Sequence, residues 1–212
     1  MSELSKFSIT SPDFEDGGEI PKKCGYKHEN VNPSLKILVP ADVKSVVMIM
    51  DDPDAKQAVG KVWDHWILYN IDSQSQFRHN THNVIIPSGS NEKKPLTKKN
   101  WEDAASIIHD QSIPTKEKNL VQKKNIQTLY DTAIDRYGDN LFKSGLNSFG
   151  DFDYGGPAPP DGKHTYIFKA YALDINELDL PNISMPGTKA DVEFAMKDHI
   201  LAEAKLTGTF AP

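Results

Sequence analysis

The most informative part of this 212-residue sequence is the stretch Tyr154-Gly155-Gly156-Pro157-Ala158-Pro159-Pro160-Asp161-Gly162-Lys163-His164-Thr165-Tyr166. Its paired glycines permit positive φ and close backbone approach, whereas its prolines fix φ and remove N–H donors. A stiff loop with exposed glycine N–H groups can form a small anion-binding concavity. His164 and Tyr166 follow two residues apart in a predicted strand, so they point to one face and offer an imidazole and a phenol to that concavity.

Outside residues 88–143 the sequence has mainly β patterning. Residues 45–50 form a β-branched-rich apolar run that stops at Asp51-Asp52-Pro53, because proline cannot donate to a strand ladder. Residues 63–71 are too apolar on both faces for an exposed edge strand, and the even-numbered residues of 164–173 share one face. Further strands are predicted around Phe7 and Ile9 and at about 202–210.

A short helix is predicted just before the last strand. Thr188 opens it, and Asp191 three residues later resembles a capping box with a shorter carboxylate. The apolar stripe of this helix is predicted to be Val192, Ala195, Met196 and Ile200.

The segment 88–143 differs from the rest in both charge and periodicity. It carries 10 Lys and Arg against 8 Asp and Glu, whereas the whole chain has a net charge of −6. Apolar residues at helical spacing over 126–137, and a shorter run over 101–109, predict a mostly helical insertion within a single domain spanning 1–212. Its lysine clusters have two interpretations, a solvated face or a contact with anionic lipid, nucleic acid or an acidic partner.

Composition excludes several classes of protein. The single cysteine, Cys24, rules out an internal disulfide and a multi-cysteine zinc site. The longest apolar run is far shorter than the roughly 20 residues that a bilayer-spanning helix needs. No apolar segment typical of a signal peptide follows Met1, so a cytoplasmic protein is expected. The acidic total argues against a nucleic-acid partner.

Three motifs, taken together, resemble the phosphatidylethanolamine-binding protein family, which includes the Raf kinase inhibitor proteins and their prokaryotic relatives. Asp52-Pro53-Asp54-Ala55 matches the start of the family's Asp-Pro-Asp-Ala-Pro motif. Trp63 and His65 match the tryptophan and histidine that follow it, and residues 154–166 match the family's second signature. The tracts 11–14, 24–25, 32–35, 147–150, 178–181 and 188–190 agree with the prokaryotic-type branch, so the resemblance covers nearly everything except 88–143.

The resemblance implies a mainly β, β-sandwich-like phosphatidylethanolamine-binding protein fold with a helical insertion and a C-terminal helix. Family members hold phosphate, acetate, cacodylate or a phospholipid headgroup in a small pocket at one end of the sheets. Glycine N–H groups, histidine and tyrosine would donate hydrogen bonds to the anion, and the aspartates would orient the histidines or accept from an amine. Carried over residue by residue, the ligand-binding residues are Asp52, Asp54, Trp63, His65, Gly156, Pro160, His164 and Tyr166.

These residues also have structural interpretations. His65 and His164 can be buried, hydrogen-bonded histidines, and Asp52 can be a turn-forming residue, which leaves Asp54 the better pocket residue of the two aspartates. Three departures from the family pattern stand out: Lys56 replaces a proline, Thr165 an arginine and Ala158 a cysteine. Lys56 is expected to make its turn less rigid, and strand parity points Thr165 away from the pocket face.

We therefore expect non-enzymatic binding of a small anion or phospho-headgroup, with a role in signalling implied by the family. Phosphate affinity should weaken as pH rises through the histidine pKa, because protonated histidine binds an anion better. No catalytic residue, cofactor or metal site is predicted, since no diagnostic metal-ligand spacing occurs.

Two alternatives stay open. A protein-interaction module that inhibits a protease or a kinase would bind its partner regardless of pocket mutations. A hydrolase that uses the pocket histidines and aspartates would show turnover that His164→Ala abolishes. Peripheral contact with a membrane through the insertion also stays open, and deletion of residues 90–142 would test whether the insertion shapes access to the pocket.

Overall fold

The computed structural model describes residues 3–73, 83–86, 88–89, 143–180 and 187–212. In chain order the strands and α-helices are β1 (Ser8–Thr10), β2 (Gly18–Glu19), β3 (Leu35–Leu38), β4 (Ser45–Asp52), α1 (Ala55–Val59), β5 (Trp63–Asp72), β6 (Asn83–Ile86), β7 (Lys143–Ser144), β8 (His164–Leu173), α2 (Lys189–Met196) and β9 (Ile200–Phe210). Two short 3-10 helices cover Glu3–Lys6 and Lys22–Cys24. The described chain is therefore mainly β, as the sequence predicts.

The strands form two sheets that face each other. The smaller sheet has the order β1-β3-β6, and the larger has the order β2-β9-β8-β4-β5-β7. All pairs are antiparallel except β2 with β9. The main apolar core lies between the sheets and combines Ile37 of β3 with Met48 of β4 and Phe168 of β8. This arrangement confirms the predicted sandwich.

The other face of the large sheet is covered by α2. Ile49 of β4 and Ile67 of β5 pack in a second apolar cluster with Val192 and Met196 of the helix. The helix begins with the predicted capping box, in which the Thr188 hydroxyl accepts from the Asp191 backbone N–H at 3.3 Å and the Asp191 carboxylate accepts from the Thr188 backbone N–H at 2.9 Å.

One helical prediction is wrong. Ile200 was predicted to complete the stripe of α2, but the helix ends at Met196 and Ile200 begins β9 with 40% of its surface exposed. The spacing of four residues from Met196 imitates a helical period by coincidence. The strand also starts two residues earlier than the predicted 202–210.

A β-bulge in β5 determines which face its polar residues occupy. Met50 of β4 pairs with Trp66, but the next residue, Asp51, pairs with Asp64, which leaves His65 as an extra residue. An extra residue reverses the alternation of side chains along a strand. His65 therefore lies on the same face as Trp66 and the inter-sheet core, with its ring against Tyr166.

The predicted helices at 101–109 and 126–137, and the insertion 88–143 apart from residues 88–89 and 143, lie outside the described residues. The chain returns at β7, which pairs with β5 at the far edge of the large sheet. From there residues 145–149 lead directly to the end of the sheet where the sequence motifs meet.

Candidate functional site

The predicted ligand-binding residues converge at one end of the large sheet. β4 ends there at Asp52, β5 begins there at Trp63, which pairs with Asp52, and β8 begins there at His164. Because antiparallel neighbours run in opposite directions, the end of one strand and the starts of its two neighbours share one edge. The topology thus brings together motifs that are more than 100 residues apart in sequence.

His164 is held between two carboxylates. Its Nδ1 lies 2.8 Å from the Asp52 carboxylate and its Nε2 lies 3.0 Å from the Asp161 carboxylate. Since a carboxylate only accepts, both ring nitrogens donate when both contacts are made. Burial lowers the pKa of His164, but the hydrogen bonds and charges of the two aspartates outweigh burial and raise that pKa above its ordinary value. Both contacts therefore favour the protonated form of the ring.

Asp52 also has the structural role that the sequence allowed. Its second carboxylate oxygen accepts from the Ala55 backbone N–H at 3.0 Å, so it closes the turn that leads into α1. The Lys56 backbone N–H donates to the Pro53 carbonyl at 3.2 Å, a bond that the family's usual proline at this position cannot make.

His65 is the electrostatic opposite of His164. It is buried, and its Nδ1 lies 2.6 Å from the Gly155 carbonyl oxygen, which can only accept, so Nδ1 carries the proton. Burial lowers the pKa of His65 more than its hydrogen bond to Gly155 and the Asp52 charge raise it. The ring is then neutral and its Nε2 is an acceptor. In this charge state His65 offers no free donor to an anion, and its contact with a ligand stays a prediction.

Tyr166 places a phenol beside these histidines. Its side chain is fully buried, its ring meets the His65 ring edge to face at 5.1 Å, and it lies two residues after His164 on β8. Burial, and then the negative charge of Asp52, raise the pKa of Tyr166, so the phenol stays protonated. Among the described residues its hydroxyl makes no hydrogen bond of ordinary geometry, although the Ala158 backbone and the Asp52 carboxylate lie close enough to interact with it as hydrogen-bond partners.

Aromatic rings surround the histidine side of the site. Phe149 meets the His65 ring at 5.3 Å and the Trp63 ring at 5.4 Å, and it stacks on Tyr26 at 4.3 Å. Lys61 places its ammonium 5.0 Å from the centre of the Trp63 ring. Phe149 is thus the central ring of this cluster, and the Lys61 ammonium lies over the neighbouring Trp63 ring.

The glycine loop has a different role from the one predicted. The Gly155 N–H donates to the His65 carbonyl at 2.9 Å, and the Gly156 N–H donates to the Asn30 side-chain oxygen at 2.7 Å. The prediction that these N–H groups are exposed donors for an anion is therefore wrong. Gly156 is needed for close approach instead, because a Cβ there would lie 2.0 Å from the Cys24 carbonyl oxygen.

The remaining predicted residues differ in their surroundings. The Asp54 carboxylate accepts from the Thr165 backbone N–H at 2.8 Å and so ties α1 to β8, while Pro160 is exposed. Asp54 therefore has a structural contact, as Asp52 does, and the structure does not rank the two aspartates as pocket residues. Contact of either residue with a ligand stays a prediction.

Four residues contact the site but are not predicted as site residues from the sequence: Tyr26, Asn30, Phe149 and Asp161. The sequence marks the tract that contains Phe149, and the tract next to Tyr26, only by their agreement with the family. Asn30 has a positive φ of 54° and reaches a glycine 126 residues later, which no local pattern signals. Asp161 stands inside the quoted loop, and its spacing of three residues from His164 was the one available signal.

The described residues provide neither a metal cluster nor an activated thiol. No group of three or more His, Cys, Asp or Glu side chains among them could hold a metal ion. Burial raises the pKa of the Cys24 thiol to about 12, so that thiol stays protonated and unreactive. Within the same part of the chain, no helix is long and apolar enough to cross a membrane.

The fold and the site define a β-sandwich protein with a polar cluster at one end of its larger sheet. A phosphatidylethanolamine-binding protein family model matches residues 10–211. The chain belongs to the phosphatidylethanolamine-binding protein family.

Relatives of known sequence and structure agree with that assignment. The chain is 34% identical over 199 residues to a UPF0098 protein of Methanothermobacter thermautotrophicus, with 93% of each chain covered. It is 30% identical over 205 residues to a UPF0098 protein of Chlamydia trachomatis, covering 95% of this chain and 97% of that protein.

Among solved structures, a protein from Chlamydia trachomatis described as a homologue of phosphatidylethanolamine-binding protein superposes with a TM-score of 0.62. It is 27% identical, and the superposition covers 96% of this chain and 95% of that one. The Escherichia coli protein YbcL shares the fold, with a TM-score of 0.65 at 21% identity over 97% of this chain and 98% of that one.

Proposed function

We propose that this protein binds a small phosphate-containing anion or phospho-headgroup at the end of β4, β5 and β8, without converting it. The observation that carries the proposal is the Tyr166 hydroxyl, which is fully buried two residues along β8 from His164 and makes no hydrogen bond of ordinary geometry among the described residues. A buried hydroxyl without a hydrogen bond costs about 1–3 kcal/mol, and a ligand oxygen would recover that cost.

The three polar rings have different roles in this proposal. His164 supplies positive charge and a donor, and Tyr166 supplies a second, neutral donor. The neutral His65 ring offers an acceptor, which suits a hydroxyl or ammonium proton of the ligand rather than a bare anionic oxygen. A phosphomonoester that carries either proton uses all three groups, so the arrangement favours a phospho-headgroup over a fully ionised simple anion.

Isothermal titration calorimetry with inorganic phosphate and with phosphoethanolamine tests the proposal. Tyr166→Phe removes only the hydroxyl and should weaken binding about tenfold or more, as expected for a hydrogen bond to a charged ligand. Tyr171→Phe is the matched control, because Tyr171 is on the same strand but packs in the cluster under α2. Equal affinities in wild type and Tyr166→Phe would sink the proposed donor role of Tyr166.

The pH dependence of binding identifies the charged histidine. Phosphate affinity, after allowance for the ionisation of phosphate itself, should fall as pH rises through the raised pKa of His164. His164→Gln should remove that dependence. A titration in His65→Ala addresses the other ring, and an affinity equal to that of wild type would remove His65 from the site.

The two alternative functions are tested on the same proteins. Hydrolysis would appear as release of inorganic phosphate from phosphoethanolamine that His164→Ala abolishes. If the protein inhibits a protease or kinase through a surface other than this site, Tyr166→Phe should inhibit that enzyme as strongly as wild type does.

A further inference from the structure

We propose that Asp161 is a built-in competitor for the anion site, in which its carboxylate occupies the His164 Nε2 donor and must leave before an anion can bind. The inference rests on the proposed function, because it concerns the donor that the proposed ligand would use. It identifies Asp161 as a residue that sets the affinity of the site rather than one that contacts the ligand.

The two carboxylates on His164 are unequal. The Asp52 side chain is 4% exposed and also holds the Ala55 backbone N–H, so it stays in place. The Asp161 side chain is 60% exposed and holds Nε2 at 3.0 Å. Because Asp52 takes Nδ1, Nε2 is the only nitrogen of this ring that a ligand can reach as a donor. Asp161 occupies that nitrogen in the manner of a bound anion.

The Asp161 contact is built to exchange. The pair is open to solvent on the carboxylate side only: the Asp161 side chain is 60% exposed and the His164 side chain 6%, so water competes for the carboxylate rather than for the ring. The next residue, Gly162, has open space where a side chain would project, so no packing fixes the loop at this point. The carboxylate can therefore move into solvent when an anion takes its place on Nε2, and an anion that carries more charge than a carboxylate can replace it.

When a side chain of the protein occupies the site, the apparent affinity for an anion equals the intrinsic affinity multiplied by the fraction of molecules in which the site is open. Replacement of Asp161 by asparagine keeps the shape of the side chain but removes its charge. Inorganic phosphate should then bind more tightly, by about fivefold, which corresponds to a partly exposed ion pair. The aspartate at position 161 therefore restricts the site to ligands that bind His164 Nε2 more strongly than a carboxylate does.

The chain contains a matched control for the experiment. Asp174 and His199 form another exposed pair, with a separation of 2.9 Å and side chains 49% and 39% exposed. Asp174 follows the last residue of β8, about 30 Å along the strand from His164. Calorimetry with inorganic phosphate on wild type, Asp161→Asn and Asp174→Asn should show tighter binding only in Asp161→Asn. An unchanged or weaker affinity there, with binding intact in wild type, overturns the inference and leaves the proposed function standing.

A measurement without ligand keeps the two proposals separate. The His164 Hε2 proton should exchange with solvent several-fold more slowly in wild type than in Asp161→Asn when both are followed by nuclear magnetic resonance. Equal exchange rates would show that Asp161 does not hold the donor, and would overturn the inference whatever the calorimetry gives. If neither protein binds phosphate, the proposed function fails, and the competition with an anion fails with it.

Discussion

Asp51 and Asp52 are neighbours on one strand, and almost nothing in their own positions distinguishes them. Both are buried, at 1% and 3% exposure, and both are ion-paired. Strand alternation points Asp51 toward α2, where it meets the ammonium groups of Lys169 at 2.6 Å and Lys189 at 2.8 Å. It points Asp52 toward the site, where it meets His164.

The partner decides what each aspartate can do. A lysine stays charged throughout the physiological pH range, so the Asp51 network is a fixed part of the structure that joins β4, β8 and α2. A histidine gains or loses its proton in that range, so the Asp52 pair can respond to pH and to ligand. The same residue type thus serves the scaffold on one face of the sheet and the candidate site on the other.

The largest effect is expected from Asp51→Asn. Lys169 and Lys189 would both lose the buried charge that compensates them. We expect the free energy of unfolding to fall by about 3 kcal/mol, in line with breaking a buried ion pair by removing one partner. Urea unfolding followed by circular dichroism measures it. If Asp51→Asn lowered the free energy of unfolding no more than Asp52→Asn does, the proposed difference between the two aspartates would be wrong.

Asp52→Asn should cost less, about 1–2 kcal/mol, because His164 can lose its proton instead of remaining as an unpaired buried cation. The amide oxygen of asparagine can still accept from the Ala55 backbone N–H, which limits the loss further. The pKa of His164 should fall at the same time, since Asp52 is the first of the groups that raise it. A histidine titration by nuclear magnetic resonance reads this directly, and an unmoved pKa would contradict the pairing.

The two histidines should affect the pH dependence of stability with opposite signs. The folded-state pKa of His164 is raised, so its stabilisation is complete below the unfolded value of about 6.5 and is lost as pH rises through the folded pKa. The folded-state pKa of His65 is lowered, so its contribution is present above about 6.5 and is lost as pH falls toward the folded pKa.

Unfolding free energies of His164→Gln and His65→Gln between pH 5 and pH 8 separate these effects. In His164→Gln, the unfolding free energy should no longer fall as pH rises. In His65→Gln, it should no longer fall as pH decreases. Both changes should be smaller than the change in Asp52→Asn. If the plot of unfolding free energy against pH lost its slope on the same side, acid or alkaline, in both variants, the assignment of opposite charge states to the two histidines would be wrong.

Features with a local cause could be predicted from the sequence. The bounds of β8 follow from alternation between a proline-rich loop and a polar turn, and the start of α2 follows from its capping box. The site residues required the family motifs, because no spacing in the sequence brings Asp52 to His164 across 112 positions.

Features that depend on pairing between distant strands could not be predicted. The bulge that turns His65 toward Tyr166 arises from the register of β5 against β4. The sequence predicts free glycine N–H groups because their acceptors, the Asn30 side chain and the His65 carbonyl, lie in other parts of the chain. Charge state followed from the same contacts, which is why two histidines of one motif set acquired opposite electrostatic roles.

Glu193→Gln should have the smallest effect and shows why ion pairs cannot simply be counted. Glu193 lies one helical turn from Lys189, at 3.9 Å, and its side chain is 43% exposed. An exposed pair of this kind contributes about 0.3 kcal/mol, because water screens both charges and the side chains must be ordered to meet. Lys189 keeps Asp51 and Asp64 after the change. A loss of unfolding free energy comparable to that of Asp51→Asn would mean that the network, rather than the buried carboxylate at its centre, carries the stabilisation on this face.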